Sequence, residues 1–444
     1  MQRQLMLLLV PLAVLGQELT ERQQPLRLSL KQAVEIALAP EGNARIQLAE
    51  EAMRQSRARS AQARAALLPN VDGQVLYQSQ TRNLAAMGIR FNLPFPGVAV
   101  PTFVGPFSTF DARLSATQSV LDFSSIRRFQ ASRAGIRGAK AETENVREQI
   151  AAQVARLYYA ALAAQAHWEA VKADVELSET IERLAVNRRN AGVGTGIEVT
   201  RAQVQLANDR QRLVVADNQR RQARLELLRG MSMSLDTEVE LTDELTYLPV
   251  EETDLKQAAE RALAERADLK AQETRERAAR LNYSAVKFER LPSVAGFADY
   301  GSIGTGLGST LPTRSYGVAV RVPLFDGGRR DARRQESLSE LRQEAIRTAD
   351  LKDQIELEIR LALDSLRSAE EQLKVAREGL ALAERETAQA QRRYEAGVAG
   401  TLEPADAQAR LARARDNQIA ALLAHNLARI SLAQAMGSVD RAIQ

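Results

Sequence analysis

AGVGTGIEVTRAQVQL, residues 191–206, returns 205 positions later as AGVAGTLEPADAQARL, residues 396–411. The pair shares Ala191/Ala396, Gly192/Gly397, Val193/Val398, Glu198/Glu403, Ala202/Ala407, Gln203/Gln408 and Leu206/Leu411. Each segment reads as a helix end, a tight turn and a new helix. Glycine supplies the left-handed residue that stops a helix. Thr195 or Thr401, followed by Glu198 or Glu403, then suits a helix start. Pro404 falls in a first turn, where its missing N–H costs little. A second echo, LKQAVEIAL at 30–38 and LKQAAERAL at 255–263, extends the duplication along the chain. Two copies of one structural unit follow, so a reading made in one half can be checked in the other.

Upstream of each turn lies a long proline-free stretch, between Arg127 and Arg189 and between Asp326 and Glu403. Apolar residues recur at Ile150, Val154, Leu157, Ala161, Ala164, Trp168, Val171 and Val175, and again at Ile355, Ile359, Ala362, Leu366, Ala369, Leu373, Ala376, Leu380 and Ala383. Alternating steps of four and three make a heptad, the pattern of helices that supercoil around a shared seam. A helix of roughly 60 residues is about 90 Å long, too long to wrap a compact core. In the second copy large and small residues alternate along the stripe, which lets neighbouring helices approach closely. The expected units are two antiparallel helical hairpins with their tips at one end.

Composition agrees with long helices: aromatics are only 4% of the 444 residues. The 60 basic and 56 acidic residues are interleaved rather than blocked, leaving a net charge of +4. That distribution argues against a nucleic-acid surface, which needs basic residues gathered on one face. Without cysteine there are no disulfides, no thiolate zinc site and no N-terminal lipidated cysteine. His167 and His425 stand in separate helical patterns, with no metal-ligand spacing around them, so neither a metal nor a cofactor is expected. No nucleophile, base and orienting group converge in any motif, so no catalytic residue is assigned and the chain is not read as an enzyme. Arg3, the apolar run 5–15 and the small residues Val14 and Gly16 make 1–16 read as a secretory signal peptide, the rival reading being a buried N-terminal helix. No other stretch reaches the 18 apolar residues of a membrane-spanning helix.

Four short segments switch to period two, the mark of strands with one oily and one wet face: about 69–82, 109–122, 292–302 and 315–325. They admit two readings, a small soluble sheet capping a helical bundle, or one chain's share of an outer-membrane barrel. Four strands cannot close a barrel alone, so the second reading needs other chains. The loop at 84–108 is long and carries Pro94, Pro96, Pro101 and Pro106, whereas 302–314 is short and glycine-rich. Gly301, Gly304, Gly306 and Gly308 precede a strand, not the helix that a phosphate-binding loop requires.

Taken in order, these features resemble the TolC family of outer membrane efflux proteins over essentially the whole mature length. The sharpest local likeness is PLFDGGRR at 323–330, at the passage from the last strand into a long helix; VLDFSSIRR at 120–128 is its looser counterpart. Segments 190–206 and 394–411 are similar to the family's periplasmic turns, and the LKQA segments to its short helices. The resemblance implies a mainly α fold with a membrane β-barrel portion. Long antiparallel coiled-coil helices form a periplasmic α-barrel, and four strands per chain contribute to a 12-stranded barrel shared by a homotrimer. The copies are 17–230 and 255–444, joined by a linker at 231–254, with tips at about 190–197 and 395–403.

The implied function is a passive exit duct, in outer-membrane lipid, for a tripartite efflux or type I secretion system. Its implied partners are a periplasmic adaptor, or membrane fusion protein, and an inner-membrane transporter of RND or ABC type. The family likeness assigns Glu403, Asp406 and Tyr394 to a periplasmic constriction. It assigns Gly192, Val193, Gly194 and Thr195, with Gly397, Val398 and Gly400, to adaptor contact. Ala399 stands where an arginine is common in the family's closed network, which weakens an ionic lock at that point. The competing reading is a soluble periplasmic coiled-coil scaffold or adaptor, which needs the helices but not the lipid-facing strands.

Overall fold

The computed structural model describes residues 25–40, 42–89, 102–250 and 254–443. Residues 1–16, expected to be a signal peptide, much of the proline loop at 84–108 and part of the linker lie outside the described residues. The first copy runs β1 (Leu26–Leu28), α1 (Leu30–Ala37), α2 (Ala44–Ala65), β2 (Asn70–Asn83), β3 (Phe103–Leu121), α3 (Phe123–Asn190) and α4 (Gly196–Gly230). The second repeats that order as β4 (Val239–Leu241), α5 (Leu255–Glu265), α6 (Ala267–Phe288), β5 (Ser293–Gly304), β6 (Leu311–Arg321), α7 (Arg329–Glu395) and α8 (Leu402–Ala435), with α9 (Val439–Ile443) at the end. The stretch 231–254, read from sequence as a linker, therefore holds the first element of the second copy. Three residues are too few for periodicity to reveal, and β4 is specified by its parallel partner β1.

The 68 residues of α3 and 67 of α7 make rods of about 100 Å. Their surroundings differ. Along α7 the buried residues, Ile355, Ile359, Ala362, Leu366, Ala369, Leu373 and Ala383, keep largely to the heptad seam. At 150–163, by contrast, α3 also buries Ala151, Ala152, Ala155, Tyr158, Tyr159 and Leu162. There α1, α9 and the ends of α4 and α8 surround it, placing Leu28, Ile46, Leu227, Met231, Ile430 and Val439 in one core with Val154 and Tyr158. Tyr158 donates to the Leu28 carbonyl at 2.9 Å and to Asp243 Oδ2 at 2.9 Å, fastening the β1–β4 pair to the rod. A smaller core around Leu269, Ile355, Ile359, Leu366 and Leu432 serves the second copy.

The four long strands form one antiparallel sheet in the order β2-β3-β5-β6. Register aligns like with like: Val71, Val75 and Tyr77 stand on the same face as Leu114, Phe110, Tyr300, Tyr316, Val318 and Val320. The other face carries Asp72, Ser115, Asp299 and Ser315 in one cross-strand row, with Gln74, Arg113 and Thr313 in the next. Apolar side chains on the first face are open, Tyr316 at 82% and Val75 at 72%. On the second, Gly317 leaves room for Phe297, whose ring would meet an added Cβ at 2.8 Å. β3 starts six residues before the expected 109, where alternation is broken by Gly105-Pro106. β6 stops at Arg321, short of the expected 325, because Pro323 lacks the N–H a ladder needs. Among the described residues no helix is long and apolar enough to cross a membrane.

Candidate constriction at the helical tips

Both hairpins turn with the same backbone device. Gly192 and Gly397 have φ of +77° and +73°, a conformation that costs a side chain but not glycine. The Arg188 carbonyl accepts from Val193 and Gly194 at 3.0 Å each, and the Arg393 carbonyl from Val398 at 3.0 Å and Ala399 at 3.2 Å. Val193 and Val398 project outward, 69% and 68% exposed, over turns of small residues. Gly194 and Gly400 complete these tips, though only Gly194 is tight: an added Cβ would lie 3.0 Å from the Arg188 side chain, whereas at Gly400 it meets nothing within 4 Å.

The two acidic tip positions diverge at once. Glu198 accepts from the Thr195 N–H at 3.1 Å and so caps its own helix. Its counterpart Glu403 instead pairs with Arg393 Nε at 2.8 Å across the turn. Asp406 is exposed and makes no ion pair among the described residues; the neighbouring Arg410 is held by Glu386 at 2.7 Å. Tyr394 is fully buried and does not join Glu403 or Asp406. Arg188, from the other hairpin, lies 4.8 Å above its ring and donates to its carbonyl at 2.6 Å. The Tyr394 hydroxyl is buried without a partner, and burial raises its pKa above the ordinary phenol value. Thus the arginines at this end come from helix positions 188 and 393, not from position 399.

Higher up, α8 lies in the groove of the first hairpin on a buried polar cluster that sequence reading missed. Ser178 donates to Asp209 Oδ2 at 2.6 Å, and Gln408 Nε2 donates to Ser178 Oγ at 2.6 Å and to the Asp174 carbonyl at 3.1 Å. Arg415 reaches Asp174 at 2.8 Å and Arg212 reaches Asp209 at 3.3 Å, so two guanidiniums balance two carboxylates. Burial still raises the Asp174 pKa, although Arg415 and Arg212 pull it down. His167, for which no metal-ligand spacing is expected, meets Asp416 at 2.9 Å. His425 is fully buried beside Tyr247, and burial with nearby Arg429 and Arg377 lowers its pKa. These partners sit up to 249 positions apart, so no local spacing announces them. No cluster of three metal-ligating side chains occurs among the described residues.

A sheet with one apolar and one polar face, set on paired rods of about 100 Å with small-residue tips, is the architecture of an outer-membrane channel protein with a long helical extension. The chain belongs to the outer membrane efflux protein family, which it matches over residues 36–231 and 258–438. Members are channels rather than enzymes. The fold is similar to that of the Campylobacter jejuni CmeC outer membrane channel, at 18% identity and a TM-score of 0.77, covering 92% of this chain and 86% of that one. It is equally similar to the Vibrio cholerae outer membrane protein VceC, at 18% identity and 0.77, covering 92% and 96%. The open state of the Neisseria gonorrhoeae MtrE outer membrane channel gives 18% and 0.77, covering 92% and 89%. No curated protein sequence matches significantly.

Proposed function

We propose that three copies of this chain close into a passive exit duct, with a shared 12-stranded barrel in the outer membrane and an α-barrel in the periplasm. One observation carries the reading. The groove of the first hairpin, at Asp174, Ser178 and Asp209, is filled by α8 of the same chain. The positions related by the 205-residue repeat, Gly379, Ala383 and Ala414, belong to the second hairpin. There Gly379 and Ala414, with Ala376, Asn417 and Ala421, line an uncovered groove of about 820 Å³. The helix that pseudo-symmetry would lay in it is α4 of a neighbouring chain. Gln203 and Arg210, the counterparts of Gln408 and Arg415, stand on that helix. The sheet repeats the logic, because β2 and β6 each present an unpaired edge that apolar surroundings do not tolerate. Twelve strands fall between the eight whose side chains fill a barrel and the sixteen that leave an aqueous channel.

Gly379→Trp tests the ring directly. Gly379 is exposed and an added Cβ there meets nothing within 4 Å in the chain itself, so a larger side chain has open space until a neighbour packs on it. Trimers on native gels should fall by at least about tenfold, the lower range of an overpacked contact. Unaltered trimers would sink the proposed closure.

At the tips, Glu403 and Asp406 form the constriction in this reading. With Glu403 neutralised by Arg393, Asp406 carries most of the unpaired negative charge that favours cations. The Gly192–Thr195 and Gly397–Gly400 turns receive the hairpins of a periplasmic adaptor, which links the duct to an inner-membrane transporter of RND or ABC type in efflux or type I secretion.

A further inference from the structure

Where the strands hand over to the long helices, a cleft of about 410 Å³ opens between the ends of β6 and α6 and the starts of α3 and α7. Most of its charges are already engaged. Arg330 is held by Asp326 at 2.8 Å, Arg128 and Arg333 share Glu289, and Asp122 caps α3 by accepting from the Ser124 N–H at 2.9 Å. Arg321 and Arg329 remain. Both line the cleft, both are exposed, and neither has an ion-pair partner among the described residues. A third group points to a ligand independently: Ser124 also lines the cleft, is only 5% exposed, and its hydroxyl has no hydrogen-bond partner. Two guanidiniums without an ion-pair partner, Arg329 lying near Asp326, and an orphaned hydroxyl able to donate make a set matched by an oxyanion.

The apolar surroundings narrow the source of that oxyanion. Leu324 and Phe325 lie between the two free arginines in sequence and are 90% and 89% exposed. Phe325 lines the cleft as well. The cleft begins where β6 ends, at the rim of the sheet whose apolar side chains face outward. Arginines beside exposed aromatic and aliphatic side chains at such a rim match a phosphate above a glycerol and acyl chains. Free phosphate would use the donors but would leave Leu324 and Phe325 in water.

We propose that this cleft binds the phosphate of an anionic glycerophospholipid from the leaflet nearer the helices, with Arg321, Arg329 and Ser124 as donors and Phe325 against the acyl region. The proposal rests on the duct reading, which puts the strand–helix junction at a membrane surface. One lipid per chain would pin the junction at a fixed depth.

Native mass spectrometry of the detergent-purified trimer, titrated with dihexanoyl-phosphatidylglycerol, tests it. The expected result is saturation at one adduct per chain. In Arg321→Gln/Arg329→Gln, half-saturation should need about 25-fold more lipid, taking about fivefold for each arginine. Ser124→Ala, which removes only a hydroxyl, should shift it about fivefold. Dihexanoyl-phosphatidylcholine should bind more weakly than the glycerol headgroup. Equal loading of the double variant would overturn the proposal. So would displacement of the lipid by inorganic phosphate at the same concentration, which would assign the donors to free anion. A wild type that forms no trimer would reject the duct reading and leave the cleft to be tested on the monomer with the same titration.

Discussion

The two helical hairpins share a backbone path and part with one another inside. In the first, α3 and α4 bury Asp174, Ser178 and Asp209 against α8. In the second, the matching positions are Gly379, Ala383 and Ala414 along an open groove. One hairpin has its neighbour inside the chain and encloses a balanced ionic cluster with it. The other waits for a neighbour, and small residues leave room for a helix to approach. Duplication provides the scaffold, and divergence at these positions decides which contacts are internal.

The largest effect should come from breaking the internal cluster. Asp209→Ala leaves the buried Ser178 and Gln408 short of an acceptor, while the part-exposed Arg212 keeps Asp174 at 3.8 Å and Asp416 at 3.9 Å, and such a loss costs about 2 kcal/mol. Chemical denaturation followed by circular dichroism should show it. Ala414→Gly, at the matching position, should cost only about 1 kcal/mol as a helix-interior glycine. Equal losses would abolish the contrast between the hairpins.

A smaller effect separates the tip carboxylates. Reversal potentials of single channels in a potassium chloride gradient should show cation preference falling about twofold or more in Asp406→Asn, with the double variant Glu403→Gln/Arg393→Gln shifting it less, since that pair carries no net charge. The reverse order would show that the Arg393 pair does not persist in the assembled duct.

The surroundings of α3 also hold a pH-sensitive group. Glu148 on α3 lines a cavity with Arg156, Arg266, Asp268 and Glu358, and its pKa is raised to about 7, first by burial and then by Asp440 and Asp268, against the pull of Arg266 and Lys270. The folded state therefore binds its proton more tightly than the unfolded chain does. Stability from this group is full below its ordinary value of 4.5 and is lost as pH rises towards 7. Glu148→Gln should raise stability by about 1 kcal/mol at pH 8, after allowance for solvent screening, and leave it unchanged at pH 4. Asp353, the matching residue of α7, is exposed. Thermal melts at the two pH values would decide.

Least of all should change in Tyr394→Phe. Its hydroxyl is buried without a partner, so deleting it should be neutral or stabilise by up to about 1 kcal/mol. A conductance increase in that variant would instead show that the hydroxyl closes the duct through a contact between chains.

Much of this was legible in the chain itself. Heptad steps without proline specify the two long rods, because a seam that repeats every seven residues can be buried only along a neighbouring helix. Paired glycines specify the turns, and period-two alternation specifies a sheet that is oily on one face. Position 399 shows the limit: alanine there suggests a tip short of arginine, yet Arg188 and Arg393 reach it from neighbouring turns. The β1–β4 pair was equally hidden, since three residues carry no period and their partner lies more than 200 positions away. What the sequence determined by itself is periodic, because local repetition dictates which face of an element is apolar. Tertiary structure alone decided which carboxylate meets which guanidinium, which groove is filled from within, and which donors at the strand–helix junction are left free. Those depend on distances between residues that the chain brings together only when the two copies pack.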